Sequence, residues 1–332
     1  MEVQGQETPL QNDAAPQRCL IWGVPLAASF LLFLLFLGAG LEYVSETHDS
    51  VALNQTAAAA GTQIIQKDFL DSTLEAKAAY VKDLDTGQVL FELHPDSQLP
   101  LASITKVLLV LAVSDVLSAN DTVAISRDAI QRGEGGGLGT GDRWKIQDLI
   151  DFTLLASSNA GAEALADAAD PALHEKYSDS PELRATVWKM NQLAHDLGLT
   201  KTYFLNASGL DASATQPGSV GSSRDVATLL TYASRAAPQL FASTLRFGLT
   251  LGPLNGALTK TRNTNEALPD IPGLILGKTG YTDLAGGNLA VVFENSPGHT
   301  IVAVVLGSTR EGRFTDIKKL VDATRNSLAE KR

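Results

Sequence analysis

Hydrophobic and polar positions divide the chain into three stretches. The first is a continuous apolar run, Leu20–Leu41, with no charged side chain. A helix of that length crosses about 30 Å of hydrocarbon. Trp22 and Tyr43 sit near its ends, where amphipathic rings favour the membrane interface. The run is longer than the roughly 7–15 residues of a cleaved signal's apolar region, and only Arg18 supplies basic charge before it. The expectation is therefore an uncleaved transmembrane helix over residues 19–44 behind a short tail, 1–18. No Lys or Arg follows until Lys67, so the positive-inside tendency places the tail in the cytoplasm and the remainder on the extracytoplasmic face. Residues 45–75, with Ala57–Ala60 followed by Gly61 and scattered Thr, Gln and Asp, read as a flexible stalk. A short helix over Ile64–Glu75 fits within it.

From Ala76 onward the pattern is that of a folded domain, 76–332. Ala79–Leu84 and Gln88–Leu93 flank Asp85-Thr86-Gly87 and read as a β-hairpin. A helix is expected from about Ser103, with Val107, Leu108, Val110, Leu111 and Val113 making it apolar on most sides and hence buried. Gly133–Gly141 is a glycine-rich loop without the Gly-Lys-Ser/Thr of a phosphate cradle. Helices are expected over Ile146–Ala169 and Pro181–Leu197. A second hairpin joins Asn288–Phe293 to Thr300–Leu306, and an amphipathic helix closes the chain from Asp316 to about Glu330. Strands at both ends with helices between them predict an α+β domain, an antiparallel sheet with segregated helices.

Charge and cysteine count narrow the chemistry. Lys and Arg number 26 against 37 Asp and Glu, a formal net charge of -11, which argues against nucleic acid as a partner. Cys19 is the only cysteine, so neither an intramolecular disulfide nor a multi-cysteine zinc site is available. The five histidines, His94 and His195 among them, show no ligand or nucleophile spacing, and no G-x-S-x-G or H-E-x-x-H occurs.

Three short motifs carry candidate chemistry. Ser103-Ile104-Thr105-Lys106 places a hydroxyl and an amine at i and i+3, on one face of a helix. A serine becomes a nucleophile when a base takes its proton, and a lysine is that base when burial lowers its pKa. The bland alternative is Ser103 as a helix cap beside a solvated Lys106. Ser157-Ser158-Asn159 ends the apolar run Phe152–Ala156. Ser157 can pass protons to a leaving group and Asn159 can hold a substrate amide, or the segment simply caps the helix that follows. Lys278-Thr279-Gly280 puts positive charge on a strand, for a carboxylate or oxyanion, beside a glycine that lets a substrate backbone approach. Its alternative is a surface turn.

In this order S-x-x-K, S-x-N and K-T-G are the signature of penicillin-binding proteins and class A β-lactamases. The chain resembles more particularly the low-molecular-mass penicillin-binding proteins of the D-alanyl-D-alanine carboxypeptidase family, the S11 serine peptidases. The resemblance runs from about Ala78 to Leu320. It includes Met190-Asn191-Gln192-Leu193-Ala194 with Leu197–Thr202, Ser208-Gly209-Leu210-Asp211, Ser222–Asp225, and Lys278-Thr279-Gly280-Tyr281-Thr282 with Ala285–Leu289. It implies a β-lactamase/transpeptidase-like fold and no cofactor. It implies peptidoglycan stem peptides as substrate and β-lactam antibiotics as covalent inhibitors. By resemblance Ser103, Lys106 and Ser157 are catalytic, and Asn159, Lys278, Thr279, Gly280 and Tyr281 bind substrate. The backbone N–H groups of Ser103 and Tyr281 form the oxyanion hole. Arg313 resembles the arginine that takes the peptide's terminal carboxylate, with Arg310 as its rival; it is expected to reach the site from just beyond Thr300–Leu306, taken as the antiparallel neighbour of the Lys278-Thr279-Gly280 strand.

Two departures stand out. Ala160 replaces the Asp that commonly follows S-x-N, and only about a dozen residues follow Leu320, where relatives carry a β domain and amphipathic tail. The N-terminal span would then serve as the anchor. Three other functions compete with the carboxypeptidase. A class A-like β-lactamase would need a deacylating glutamate, for which Glu182 is the one candidate. The others are a DD-endopeptidase of the same family and a non-catalytic tethered protein.

Overall fold

The structure is a computed structural model that describes Phe69 and residues 73–329. The expected span at 19–44, the tail 1–18 and nearly all of the stalk at 45–75 lie outside the described residues. Among the described residues no helix is long and apolar enough to cross a membrane. Phe69, which the sequence reading leaves in the stalk, is buried and stacks on Phe91 at 5.4 Å. The folded body therefore takes in residues before Ala76.

Five long strands form one antiparallel sheet: β1 (Ala78–Asp83), β2 (Val89–Leu93), β3 (Leu274–Thr282), β4 (Gly286–Ser296) and β5 (His299–Ser308). Their order across the sheet is β3-β4-β5-β1-β2. Both hairpins expected from sequence are present. The near-continuous apolar runs in β4 and β5 follow from a sheet covered on both faces. Side chains alternate across a strand. Val302, Val304 and Leu306 join one core, while Ile301, Ala303 and Val305 join another.

The described residues form seven α-helices, α1 (Thr105–Val113), α2 (Arg127–Arg132), α3 (Ile146–Leu155), α4 (Asn159–Lys176), α5 (Ala185–Asp196), α6 (Ser223–Ala236) and α7 (Gly312–Ala329); α6 and α7 pack on the sheet, and the others build a helical lobe beside it. α1 and α6 share the core of the first face, whereas Ile317, Leu320 and Val321 of α7 fill the second. α6 and α7 thus lie on opposite faces of the sheet. α1 is apolar nearly all round and buried at every position but Leu111, as its composition requires.

The structure departs from the pattern at three helix boundaries. The helix expected over Ile146–Ala169 is two helices, broken at Ala156–Ser158, with Ser157 at φ 57. The apolar run Phe152–Ala156 ends at the break, and Ser158 caps the helix beyond it, the capping alternative read from the sequence. α5 begins four residues later than expected, after Arg184 in the left-handed region, where its amide and that of Thr186 bond to Asp170. The last helix starts at Gly312, which moves Arg313 from a turn into the first helical turn.

Candidate active site

The site lies where the edge strand β3 meets the helical lobe. Ser103 sits in a single 3-10 turn, Ala102–Ile104, that feeds α1, with Ala102 at the unusual φ of 49. This turn packs directly on β3. A Cβ on Gly280 would come within 2.8 Å of the Leu101 carbonyl oxygen, so the strand can approach the nucleophile turn only without a side chain there. Asn288 of β4 fastens the contact from below. Its Nδ2 donates to the carbonyls of Pro100 (2.9 Å) and Leu101 (3.0 Å), and its Oδ1 accepts from the Gly307 amide at 2.8 Å.

The i, i+3 pair of the first motif meets. Lys106 is fully buried, and its Nζ donates to Ser103 Oγ at 2.6 Å, Asn159 Oδ1 at 2.8 Å and the Ser208 carbonyl at 2.8 Å. Burial pushes its pKa down to about 7, against the opposing pull of the Glu163 carboxylate. Once deprotonated, the amine can keep its donations to Asn159 and Ser208 and turn its lone pair to the Ser103 hydroxyl. No side chain caps this 3-10 turn or α1, which excludes the bland reading of Ser103.

The second motif is divided between two jobs. Ser158 is the cap of α4, its Oγ accepting from the Gly161 amide at 3.1 Å. Ser157 is thereby free for the cleft, and its Oγ accepts from Lys278 Nζ at 2.8 Å. Lys278 also donates to the Thr279 carbonyl at 2.8 Å. Its pKa is held well below the usual lysine range, first by burial, then by the nearby charges of Lys106 and Arg313. The Thr279 hydroxyl lies 2.6 Å from that of Thr264.

Arg313 also arrives at the site, but not by the route expected. The strand containing Thr300–Leu306 does not adjoin the Lys-Thr-Gly strand, because β4 lies between them. The chain leaving β5 instead folds over Gly287, where a Cβ would collide with the Thr309 carbonyl. This carries Arg313, 8 % exposed, to within 2.8 Å of the Gly280 carbonyl through Nη1. Its buried Nε has no hydrogen-bond partner among the described residues. Burial, and then the charge of Arg310, lowers its pKa from the arginine value. Arg310 itself stacks over the Tyr281 ring at 3.9 Å. Tyr281, partly exposed, forms the outer rim of the cleft.

All nine candidate residues thus converge on one cleft. Four participants were not assigned by sequence reasoning: the Ser208 carbonyl, Thr264, Asn288 and Glu163. A buried asparagine inside the apolar run of β4 was a readable signal for Asn288. Backbone carbonyls such as that of Ser208 leave none. Among the described residues no group of three His, Cys, Asp or Glu side chains is placed to hold a metal ion.

A serine hydroxyl within reach of a buried, low-pKa lysine, facing a cationic strand, defines the class: a serine hydrolase that works through an acyl-enzyme. More particularly, the chain belongs to the D-alanyl-D-alanine carboxypeptidase family, peptidase S11, whose sequence profile it matches over residues 62–310. It is 31 % identical over 238 residues to the D-alanyl-D-alanine carboxypeptidase DacB2 of Mycobacterium tuberculosis, covering 71 % of this chain and 77 % of that protein. It is 30 % identical over 259 residues to a D-alanyl-D-alanine endopeptidase of Pseudomonas aeruginosa, covering 76 % and 77 %. Among solved structures it resembles penicillin-binding protein D2 of Listeria monocytogenes in its cefotaxime-bound form. The TM-score is 0.62 and the identity 28 %, over 76 % of this chain and 97 % of that one.

Proposed function

We propose that this protein is a serine-type D-Ala-D-Ala carboxypeptidase that trims peptidoglycan stem peptides, and that its acyl-enzyme forms on Ser103. The observation that carries the assignment of roles is the 2.6 Å contact between Ser103 Oγ and the buried amine of Lys106. Lys106 takes the hydroxyl proton as Oγ attacks the carbonyl between the two terminal D-alanines. The N–H groups of Ser103 and Tyr281 receive the developing oxyanion. The Ser157–Lys278 pair returns a proton to the departing D-alanine amine, and water then releases the shortened peptide. β-Lactams acylate the same hydroxyl. Asn159 holds the peptide's amide, and Lys278, Thr279 and Arg313 hold its free carboxylate.

The relatives include endopeptidases, and the carboxylate clamp separates the two activities. A guanidinium–carboxylate hydrogen bond contributes about 1.5–3 kcal/mol, so Arg313→Ala should lower kcat/KM on a D-Ala-D-Ala peptide roughly ten- to a hundredfold. Cleavage of the same peptide amidated at its terminus should change little. Equal losses on both substrates, or losses confined to Arg310→Ala, would remove Arg313 from this role. The lactamase reading loses its glutamate. Glu182 is exposed, and the neighbouring Arg184 is tied to Asp170, about 16 Å along α4 from Asn159.

We further propose that Leu20–Leu41 tethers the catalytic domain to the extracytoplasmic face of the cell membrane. The charge asymmetry around the run and the location of a cell-wall substrate support this. Protease added to intact spheroplasts should remove the domain, and full protection would reverse the orientation.

A further inference from the structure

Asn159, Glu163 and Asp167 follow one another at i, i+4 and i+8 on one face of α4. Asn159 accepts from Lys106. Arg132 of α2 spans the other two, donating through Nε to Glu163 at 3.2 Å and through Nη2 to Asp167 at 2.6 Å. Glu163 is 9 % exposed, whereas the Arg132 and Asp167 side chains remain more than two-fifths exposed. Glu163, Arg132 and Asp167 border a cavity of about 580 Å³ together with Ser208, whose carbonyl accepts a hydrogen bond from Lys106. Both fixed acceptors of the lysine, Asn159 and Ser208, therefore adjoin a wall that carries a buried carboxylate. Burying a carboxylate against a half-exposed arginine adds little stability.

We infer that Glu163 and Arg132 are a positioning pair that sets the pH at which Lys106 becomes a base, Glu163 holding the proton on the amine and Arg132 opposing it. The inference rests on Lys106 acting as the base for Ser103. The Glu163 carboxylate, one helical turn along α4 from the lysine's acceptor Asn159, opposes the effect of burial on Lys106. The groups that face the lysine are Glu163 from α4 and Lys278 from β3, and Arg313 of α7 acts in turn on Lys278. The other carboxylates of this wall are engaged elsewhere. Asp167 binds Arg132, Asp170 binds the amides of Arg184 and Thr186, and Asp211 binds Thr282.

The two members of the pair then have opposite signs. In Glu163→Gln the proton leaves Lys106 more easily, so the acid limb of the activity profile moves to lower pH, by about half a unit to one unit. In Arg132→Gln the carboxylate is uncompensated and the limb moves to higher pH by a similar amount. Glu163→Asp, which keeps the charge, should restore a midpoint close to that of the parent. Asp167→Asn leaves Arg132 to Glu163 alone and should move the limb slightly in the direction of Glu163→Gln.

The measurement is the second-order rate of acylation of the full chain by a fluorescent penicillin across the neutral range, with melting temperatures as a check on folding. Midpoints displaced in opposite directions support the pair. Losses at every pH with coincident midpoints, or displacements of the same sign, overturn it and leave a merely structural ion pair. If one of the pair fails to fold, the other together with Asp167→Asn still decides the sign: a limb moved to higher pH in Asp167→Asn, or to lower pH in Arg132→Gln, overturns the pair. Failure of the parent protein to be acylated would refute Ser103 and Lys106 themselves, an outcome distinct from coincident midpoints in an enzyme that reacts.

Discussion

Ser103→Ala should release no measurable D-alanine from a stem pentapeptide, a loss of at least about 10⁴-fold, because no other group can form the acyl bond. The geometry leaves no substitute nucleophile. Ser157, the cleft hydroxyl of the second motif, accepts from Lys278. Thr105 is turned away, its hydroxyl donating to the Ala102 carbonyl at 2.7 Å and lying 2.6 Å from Ser219 Oγ. The variant should fold normally, since Ser103 Oγ caps no helix. It should also still bind substrate through the carboxylate clamp. D-Alanine release from Ser103→Ala at a rate near that of the parent would refute the acyl-enzyme.

Lys106→Met should lower kcat/KM by about 10²–10⁴-fold, the usual worth of a positioned general base. Its diagnostic is the pH profile. With the pKa lowered to about 7 by burial, the free amine dominates above neutrality and is lost as the pH falls through that value. The parent enzyme should therefore rise through an acid limb centred near neutral pH. A solvated lysine would place that limb near 10. The Met variant should lose the limb along with the rate, since the titrating group is gone. A limb that persists unchanged in Lys106→Met would assign the base elsewhere.

What could be read from sequence, and what could not, follows from the range of the interactions. The hairpins β1–β2 and β4–β5 announce themselves through short strand-like runs on either side of the turn residues Asp85-Thr86-Gly87 and Asn295-Ser296-Pro297-Gly298. The pairing of Ser103 with Lys106 needs only helical spacing, so it was legible too. The break before α4 was legible as a cap at Ser157-Ser158-Asn159, and Ser158 is that cap, but the turn of Ser157 to Lys278, 121 residues away, is tertiary and was not. The route of Arg313 was misjudged for a similar reason. Sequence order suggests that consecutive hairpin strands adjoin the Lys-Thr-Gly strand, yet only β4 does, and the bare backbone of Gly287 lets the arginine cross over it. Glu163 went unnoticed because a charged residue in an alanine-rich helix reads as a solvated face. Its burial becomes visible only when α2 is packed beside α4.

A covalent bond at Ser103 is the central step of the proposed reaction, and intact-mass measurement of the full chain after brief exposure to a penicillin tests it most directly. The expected result is one added penicilloyl mass per chain, mapped to the peptide containing Ser103 and persisting long after free drug is removed. An unmodified chain, an adduct on any other residue, or rapid penicillin hydrolysis without an accumulating adduct would contradict it.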